Sequence, residues 1–108
     1  MTVEHISPAA ALALIEQGAS LIDIRDADEY AREHIPAARL LPLAALEQGA
    51  MLQAGADEVV IFHCQSGNRT RNHLSKLIAA AAPAQVKVVE GGIEAWRKAG
   101  LATVEDKS

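Results

Sequence analysis

The spacing of apolar positions changes period repeatedly along this chain, and the changes coincide with turn residues. Ser7-Pro8 reads as an N-cap followed by a proline at the first helical position, and Gly18 stops a helix over about 8–17. Leu21-Ile22-Asp23-Ile24 then predicts a short strand. Asp26 with Glu29 three residues later forms a capping box for a helix that ends before Pro36. Val59-Val60-Ile61-Phe62 is a continuous apolar run without alternation, as expected of a strand buried on both faces of a parallel sheet. Leu74, Leu77, Ile78 and Ala81 recur at i, i+3, i+4 and i+7, which predicts one amphipathic helix over about 69–82 that absorbs the alanine run Ala79 to Ala82. Val86 to Val89 is another short strand; Gly91-Gly92 with Ile93 and Trp96 opens a last helix, and Gly100 is its C′ residue. Strands alternating with helices predict an α/β domain with helices on both faces of a mostly parallel sheet. No internal repeat, low-complexity tract or linker interrupts the pattern, so residues 1–108 are expected to form one domain.

Composition narrows the class. A chain of 108 residues folds to a surface of roughly 5,800 Å² from about 16,500 Å² unfolded, enough burial for a core without covalent staples. The single cysteine excludes an internal disulfide framework and any multi-cysteine zinc site, and suits a reducing compartment. Three aromatics against 22 alanines leave no stacking platform for single-stranded nucleic acid, and a net charge of −4 argues against a general nucleic-acid binder. No apolar stretch is long enough to span a bilayer, and Met1-Thr2-Val3-Glu4-His5 lacks the pattern of a signal peptide. The expected location is the cytoplasm.

One segment carries chemistry: His63-Cys64-Gln65-Ser66-Gly67-Asn68-Arg69-Thr70. It follows the most buried strand, at the carboxyl end where ligands bind in open α/β sheets. Its small polar residues, and the freedom of Gly67, allow several amides to converge as an anion nest backed by the following helix N-terminus. A thiol at the base of such a cradle is favoured as the thiolate, its nucleophilic form. Arg69 adds a guanidinium suited to oxyanions of sulfur or phosphorus. Charge supports the reading: residues 59–89 hold Arg69, Arg71, Lys76 and Lys87 and no acid, whereas the rest of the chain carries −8. The bland alternative, a buried and inert thiol, fits a lone cysteine but not its strand-end loop. His63 is read as structural, because adjacent residues in extended chain point to opposite faces. His5, His34 and His73 show no metal-ligand spacing, and no metal or cofactor is expected. Asp23, Asp26, Asp28, Glu29 and Glu33 read as a solvated helix face with caps rather than an acid/base pair.

At these residues the chain resembles the rhodanese (thiosulfate sulfurtransferase) family, over nearly its whole length. Leu21-Ile22-Asp23-Ile24-Arg25, Glu29-Tyr30 and His34-Ile35-Pro36-Ala37-Ala38 resemble the family's N-terminal signature. Cys64 to Thr70 resembles its active-site loop, and Gly91-Gly92-Ile93-Glu94-Ala95-Trp96 with Gly100 its C-terminal signature. The family usually has glycine before the His-Ile-Pro stretch, where this chain has Glu33. Phe62-His63-Cys64 and Asp26-Ala27-Asp28-Glu29-Tyr30 look most like the cytosolic domain of bacterial inner-membrane rhodaneses, in which two transmembrane helices follow. The expectation is a soluble relative or, where such helices follow Ser108 in the natural protein, a domain from the cytoplasmic face of the inner membrane.

The resemblance implies a three-layer α/β/α sandwich around a five-stranded, mainly parallel sheet. It implies that Cys64 takes a sulfane sulfur from a donor such as thiosulfate and passes the persulfide to cyanide in the assay, or to a thiol, including one on a protein, in the cell. Gln65, Ser66, Gly67, Asn68, Arg69 and Thr70 would hold the substrate and the persulfide, with Arg69 either orienting the oxyanion or tying the loop down. Asp23 and Arg25 would support the site from beneath. Three rivals remain. A cysteine phosphatase would use a similar loop, but with five residues between Cys and Arg where this chain has four. A non-catalytic persulfide carrier or interaction module would not need turnover. A reductase cycling through an internal disulfide needs a second cysteine, which the chain lacks.

Overall fold

The computed structural model describes residues 3–105. Met1, Thr2 and the last three residues, on which the expectations about a leader and a following anchor fall, lie outside the described residues. The elements run β1 (Glu4–Ile6), α1 (Pro8–Glu16), β2 (Ser20–Asp23), α2 (Ala27–Arg32), β3 (Glu33–His34), β4 (Ala38–Leu40), α3 (Leu43–Glu47), β5 (Val59–His63), α4 (Asn68–Asn72), α5 (Leu74–Ala81), β6 (Gln85–Val89), α6 (Gly92–Lys98) and β7 (Val104–Glu105). Five strands form one sheet in the order β1-β6-β5-β2-β4, every pair of it parallel; β3 and β7 form a separate antiparallel ribbon.

The apolar run of β5 explains its central place. Val60 and Phe62 pack on one face of the sheet with Leu46 of α3 and Leu77, Ala80 and Ala81 of α5. Ile61 packs on the other face with Ala11 of α1 and Ile93 and Trp96 of α6. A strand that must satisfy two apolar layers has no polar face, hence the unbroken hydrophobic run. The α/β/α layering expected from the alternation of elements is the one found. Ser7 caps α1 as read from sequence, its Oγ accepting from the amide of Ala10 at 3.1 Å, with Pro8 in the first turn.

The helix predicted over 69–82 is not continuous. It divides at His73, whose backbone (φ −131°, ψ 28°) leaves the helical region, so that α4 ends and α5 restarts. The break strands a backbone acceptor, and His73 repairs it: its Nδ1 lies 2.8 Å from the carbonyl oxygen of Arg69. Periodicity located the core face of α5 but had no means of detecting a local ring–carbonyl contact that competes with the ladder.

Candidate active site

The loop after β5 begins at Cys64, whose side chain is buried with 1% exposure. Its Sγ receives the backbone N–H of Gly67 at 3.1 Å and lies 3.8 Å from the hydroxyl of Thr70. Gly67 turns the chain at φ +97°, a conformation that favours glycine, and immediately precedes α4. Thr70 in turn donates its hydroxyl to the Gly67 carbonyl at 3.0 Å, closing the loop on itself.

Helix α6 decides which way the peptides face. The amide of Ile93 donates to the carbonyl of Cys64 at 2.9 Å, and that of Glu94 to the carbonyl of Gln65 at 3.1 Å. In a trans peptide C=O and N–H point in opposite directions, so these two bonds send the N–H groups of Gln65 and Ser66 away from α6. Acceptors are thus drawn out of the loop and donors left on its other side, the polarity an anion nest requires. Gly92 makes the approach feasible: a Cβ there would lie 2.4 Å from the Cys64 oxygen and 2.5 Å from the Gln65 oxygen. The Gly91-Gly92 signature is therefore a packing requirement of the loop as well as a helix start.

Beneath the loop lies a buried ionic group. Asp23 is fully buried at the end of β2 and pairs in register with His63. Its Oδ2 is 2.8 Å from Nη2 of Arg25, and its Oδ1 accepts from the Arg25 backbone N–H at 2.9 Å. Arg25 also donates to the Glu33 carbonyl at 2.7 Å and to Oε1 of Gln65 at 3.2 Å. It therefore links the β2 terminus to the residue next to the thiol. Glu33 needs no glycine: its φ of −161° is ordinary extended backbone, and its carbonyl serves as an acceptor. His63 is fully buried, with Nδ1 3.1 Å from the Cys64 carbonyl and Nε2, which makes no hydrogen bond, 3.6 Å from Asp23 Oδ2. Burial pushes its imidazole below the ordinary 6.5, against the pull of the Asp23 carboxylate. Among the described residues the hydrogen-bond contact of the ring is with the Cys64 backbone carbonyl and not with the sulfur.

Three of the five acidic residues, Asp23, Glu29 and Glu33, depart from the expectation of a solvated face. Asp23 is buried and paired, as above. Glu29 binds Arg69 through two parallel contacts, Nη1 to Oε1 at 2.8 Å and Nη2 to Oε2 at 2.9 Å. That hydrogen-bonded pairing holds the Glu29 carboxyl down at about 2, from an ordinary 4.5. Glu33 receives the Thr103 hydroxyl at 2.7 Å and sits 3.3 Å from Nε of Arg97. Asp26 and Asp28 are exposed, as expected. The sequence carried no signal for the pairings of Glu29 and Glu33, since their partners are tens of residues away.

Of the residues singled out in the loop, Cys64, Gly67 and Thr70 converge at the sulfur. Gln65 faces Arg25 and Glu94, donating to the latter from Nε2 at 3.2 Å. Asn68 accepts from Arg71 at 3.2 Å, and Arg69 turns to Glu29. Ser66 is partly buried and makes no side-chain hydrogen bond with any described residue. Among the described residues no group of three or more His, Cys, Asp or Glu side chains is placed to hold a metal ion. No described helix is long and apolar enough to cross a membrane.

These features define a class: an α/β domain whose lone thiol is cradled at the carboxyl end of the central parallel strand. The chain belongs to the rhodanese-like domain family, whose pattern matches residues 7–99. It is 33% identical over 94 residues to the thiosulfate sulfurtransferase GlpE of Pseudomonas savastanoi, covering 87% of each chain. It is 40% identical over 88 residues to an uncharacterized protein of Synechocystis, covering 82% of this chain and 48% of that one. The fold is shared with a thiosulfate sulfurtransferase of Pseudomonas aeruginosa (TM-score 0.78, 24% identity, 99% of this chain and 20% of that one). It is also shared with a Rhodopseudomonas palustris protein of unknown function described as a "possible tyrosine phosphatase" (TM-score 0.72, 29% identity, 93% and 83%). The chain thus spans about half the length of the Synechocystis relative and a fifth of the P. aeruginosa chain.

Proposed function

We propose that the protein is a sulfurtransferase that carries a sulfane sulfur on Cys64. The observation that supports it most is the contact between the Gly67 N–H and Cys64 Sγ at 3.1 Å, in a loop whose first two carbonyls are drawn outward by α6. In the first half-reaction the Cys64 thiolate attacks the outer sulfur of thiosulfate. The new S–S bond forms as the old one breaks, and its electron pair leaves with sulfite. The persulfide remaining on Cys64 is an anion one atom beyond the thiolate, and inward N–H groups stabilise it. In the second half-reaction a thiolate or cyanide attacks the terminal sulfur, and Cys64 leaves as the thiolate. With no second cysteine in the chain, the sulfur departs to an external acceptor. Asp23 and Arg25 act through position: their buried pair anchors Gln65, and through it the start of the loop.

The likeness to the R. palustris protein keeps a phosphatase as the second reading. Two features weigh against it. Four residues separate Cys64 from Arg69, which makes a tight ring for a tetrahedral phosphate. The Arg69 guanidinium, the group that would grip phosphate oxygens, is already held by Glu29. Intact mass measurement after incubation with thiosulfate decides between them, together with carriage without turnover. The expected result is one added sulfur atom, absent in Cys64→Ser and removed by cyanide as thiocyanate. No mass gain, together with Cys64-dependent release of phosphate from an aryl phosphate, overturns the proposal. A mass gain without release to any acceptor leaves only a carrier.

A further inference from the structure

Next to the sulfur cradle, on the Gln65 side of the loop, lies a polar cavity of about 230 Å³ lined by Arg25, Glu29, Arg32, Glu33, Gln65 and Arg97. None of Cys64, Gly67 or Thr70, which meet at the sulfur, lines it. At roughly 30 Å³ per water molecule, it has room for about seven waters. That is more than cyanide occupies and enough for a small organic ion.

Its charges are unequal in availability. The Arg25 guanidinium is spent on buried Asp23 (2.8 Å), the Glu29 carboxylate on Arg69 (2.8 Å), and Glu33 is in ion-pair contact with Arg97 (3.3 Å). Arg32, at the last position of α2, makes no ion pair or side-chain hydrogen bond with any described residue and is exposed. The side chain of Arg97 is itself 43% exposed. Both wall carboxylates are thus compensated, Glu33 by Arg97, and among the lining residues the Arg32 guanidinium is the charge left uncompensated. On a chain of net charge −4, this is a local site where an anion gains and a cation loses. The lining includes Gln65, the residue covalently next to the thiol-bearing Cys64, held between Arg25 and Glu94.

We infer that this cavity is the acceptor subsite: it binds the anionic tail of a small carboxylate-bearing thiol whose sulfur then reaches the persulfide on Cys64, with Arg32 as the specificity-determining residue. The inference rests on the sulfurtransferase reading and adds to it the class of acceptor. The transfer balances without any other reactant: the thiolate of the acceptor bonds to the terminal sulfur of the Cys64 persulfide, the Cys64–sulfur bond breaks, and its electron pair stays on Cys64. The terminal sulfur of the anionic persulfide keeps its negative charge and becomes the persulfide anion of the acceptor.

The test uses acceptors matched in length and different in charge: 3-mercaptopropionate, 3-mercaptopropan-1-ol and cysteamine, compared at equal thiolate concentration on protein loaded with thiosulfate. A partly exposed guanidinium is expected to lower KM for the anionic thiol about three- to fivefold relative to the neutral one. Arg32→Gln brings that ratio to about one, Arg32→Glu inverts it in favour of cysteamine, and Arg39→Gln, at the exposed position of β4, retains it. A ratio unchanged in Arg32→Gln overturns the inference. So does a variant that raises the thiosulfate requirement and leaves the thiol ratio intact, since the cavity is then a donor site. A second arm needs no persulfide: 3-(methylthio)propionate titrated into the free protein is expected to shift the Gln65 side-chain amide signals, and 3-(methylthio)propan-1-ol at equal concentration is not. Absence of the shift overturns the subsite. Failure of thiosulfate to load Cys64, with the shift present, removes the sulfurtransferase reading and leaves the anion site standing.

Discussion

The guanidinium of Arg69 lies against the carboxylate of Glu29 in a two-point contact, 2.8 Å and 2.9 Å, that joins the loop after β5 to helix α2. Two parallel charged hydrogen bonds fix orientation as well as distance. Of the two roles open to Arg69 from sequence, this geometry favours the tie over the oxyanion contact. Arg69→Ala and Glu29→Gln are therefore expected to lower loading by thiosulfate and discharge to cyanide by similar factors. Single-turnover rates for the two half-reactions check this. An Arg69→Ala variant impaired in loading alone would instead assign Arg69 to the donor.

The same pair sets an acid limit. The Glu29 carboxyl is held at about 2 in the folded chain against an ordinary 4.5. The unfolded chain takes up the proton first, so the stabilisation is complete above about 4.5 and disappears as pH falls through about 2. The Arg69 side chain is 35% exposed, and water screens the pair, so its worth is about 1 kcal/mol rather than the full value of the shift. Urea unfolding of the protein and of Glu29→Gln should differ by that amount at pH 6 and converge near pH 2. A constant difference across the range would mean that Glu29 acts by packing.

Asp23 and Arg25 are expected to be far more costly to separate. Both side chains are buried, at 0% and 4% exposure. Removing one charge leaves the other without solvent or partner, a loss of about 3–5 kcal/mol. Asp23→Asn should show this in denaturant midpoints. It should also slow both half-reactions, because Arg25 no longer holds the Gln65 side chain in place. A loss below about 1 kcal/mol would show that the pair is solvated.

Gly92→Ala tests the outward pull on the loop carbonyls. The added methyl would stand 2.4 Å from the Cys64 oxygen and 2.5 Å from the Gln65 oxygen, and both are backbone atoms that cannot swing aside. The residue also has φ +62°, which alanine adopts at a cost. The expected destabilisation is about 2–3 kcal/mol, with persulfide formation reduced more than in a surface variant of equal stability. Thermal unfolding and intact mass after thiosulfate treatment measure the two effects. Normal loading in Gly92→Ala would mean that the α6 amides do not set the direction of the loop peptides.

The sequence by itself determined the parts that depend on local rules. The two-sided burial of β5 is written in Val59 to Phe62, the start of α1 in Ser7-Pro8, and the position of the thiol loop in the strand–glycine–helix order around Cys64. The tertiary structure alone decided how that loop is held. Arg69 meets Glu29, and Arg25 meets Gln65, each across 40 residues. The carbonyls of Cys64 and Gln65 meet the amides of α6, and His63 comes to lie beside Asp23 because β2 and β5 pair in register. Periodicity reports which face of an element is buried. It has no term for which polar group of a distant element arrives there, and that depends on how the layers pack. For the same reason Glu29 and Glu33, read as part of a solvated face, proved to be partners of Arg69 and Arg97. Hydration is the default for a charge considered alone, and only the assembled fold brings up a guanidinium in its place.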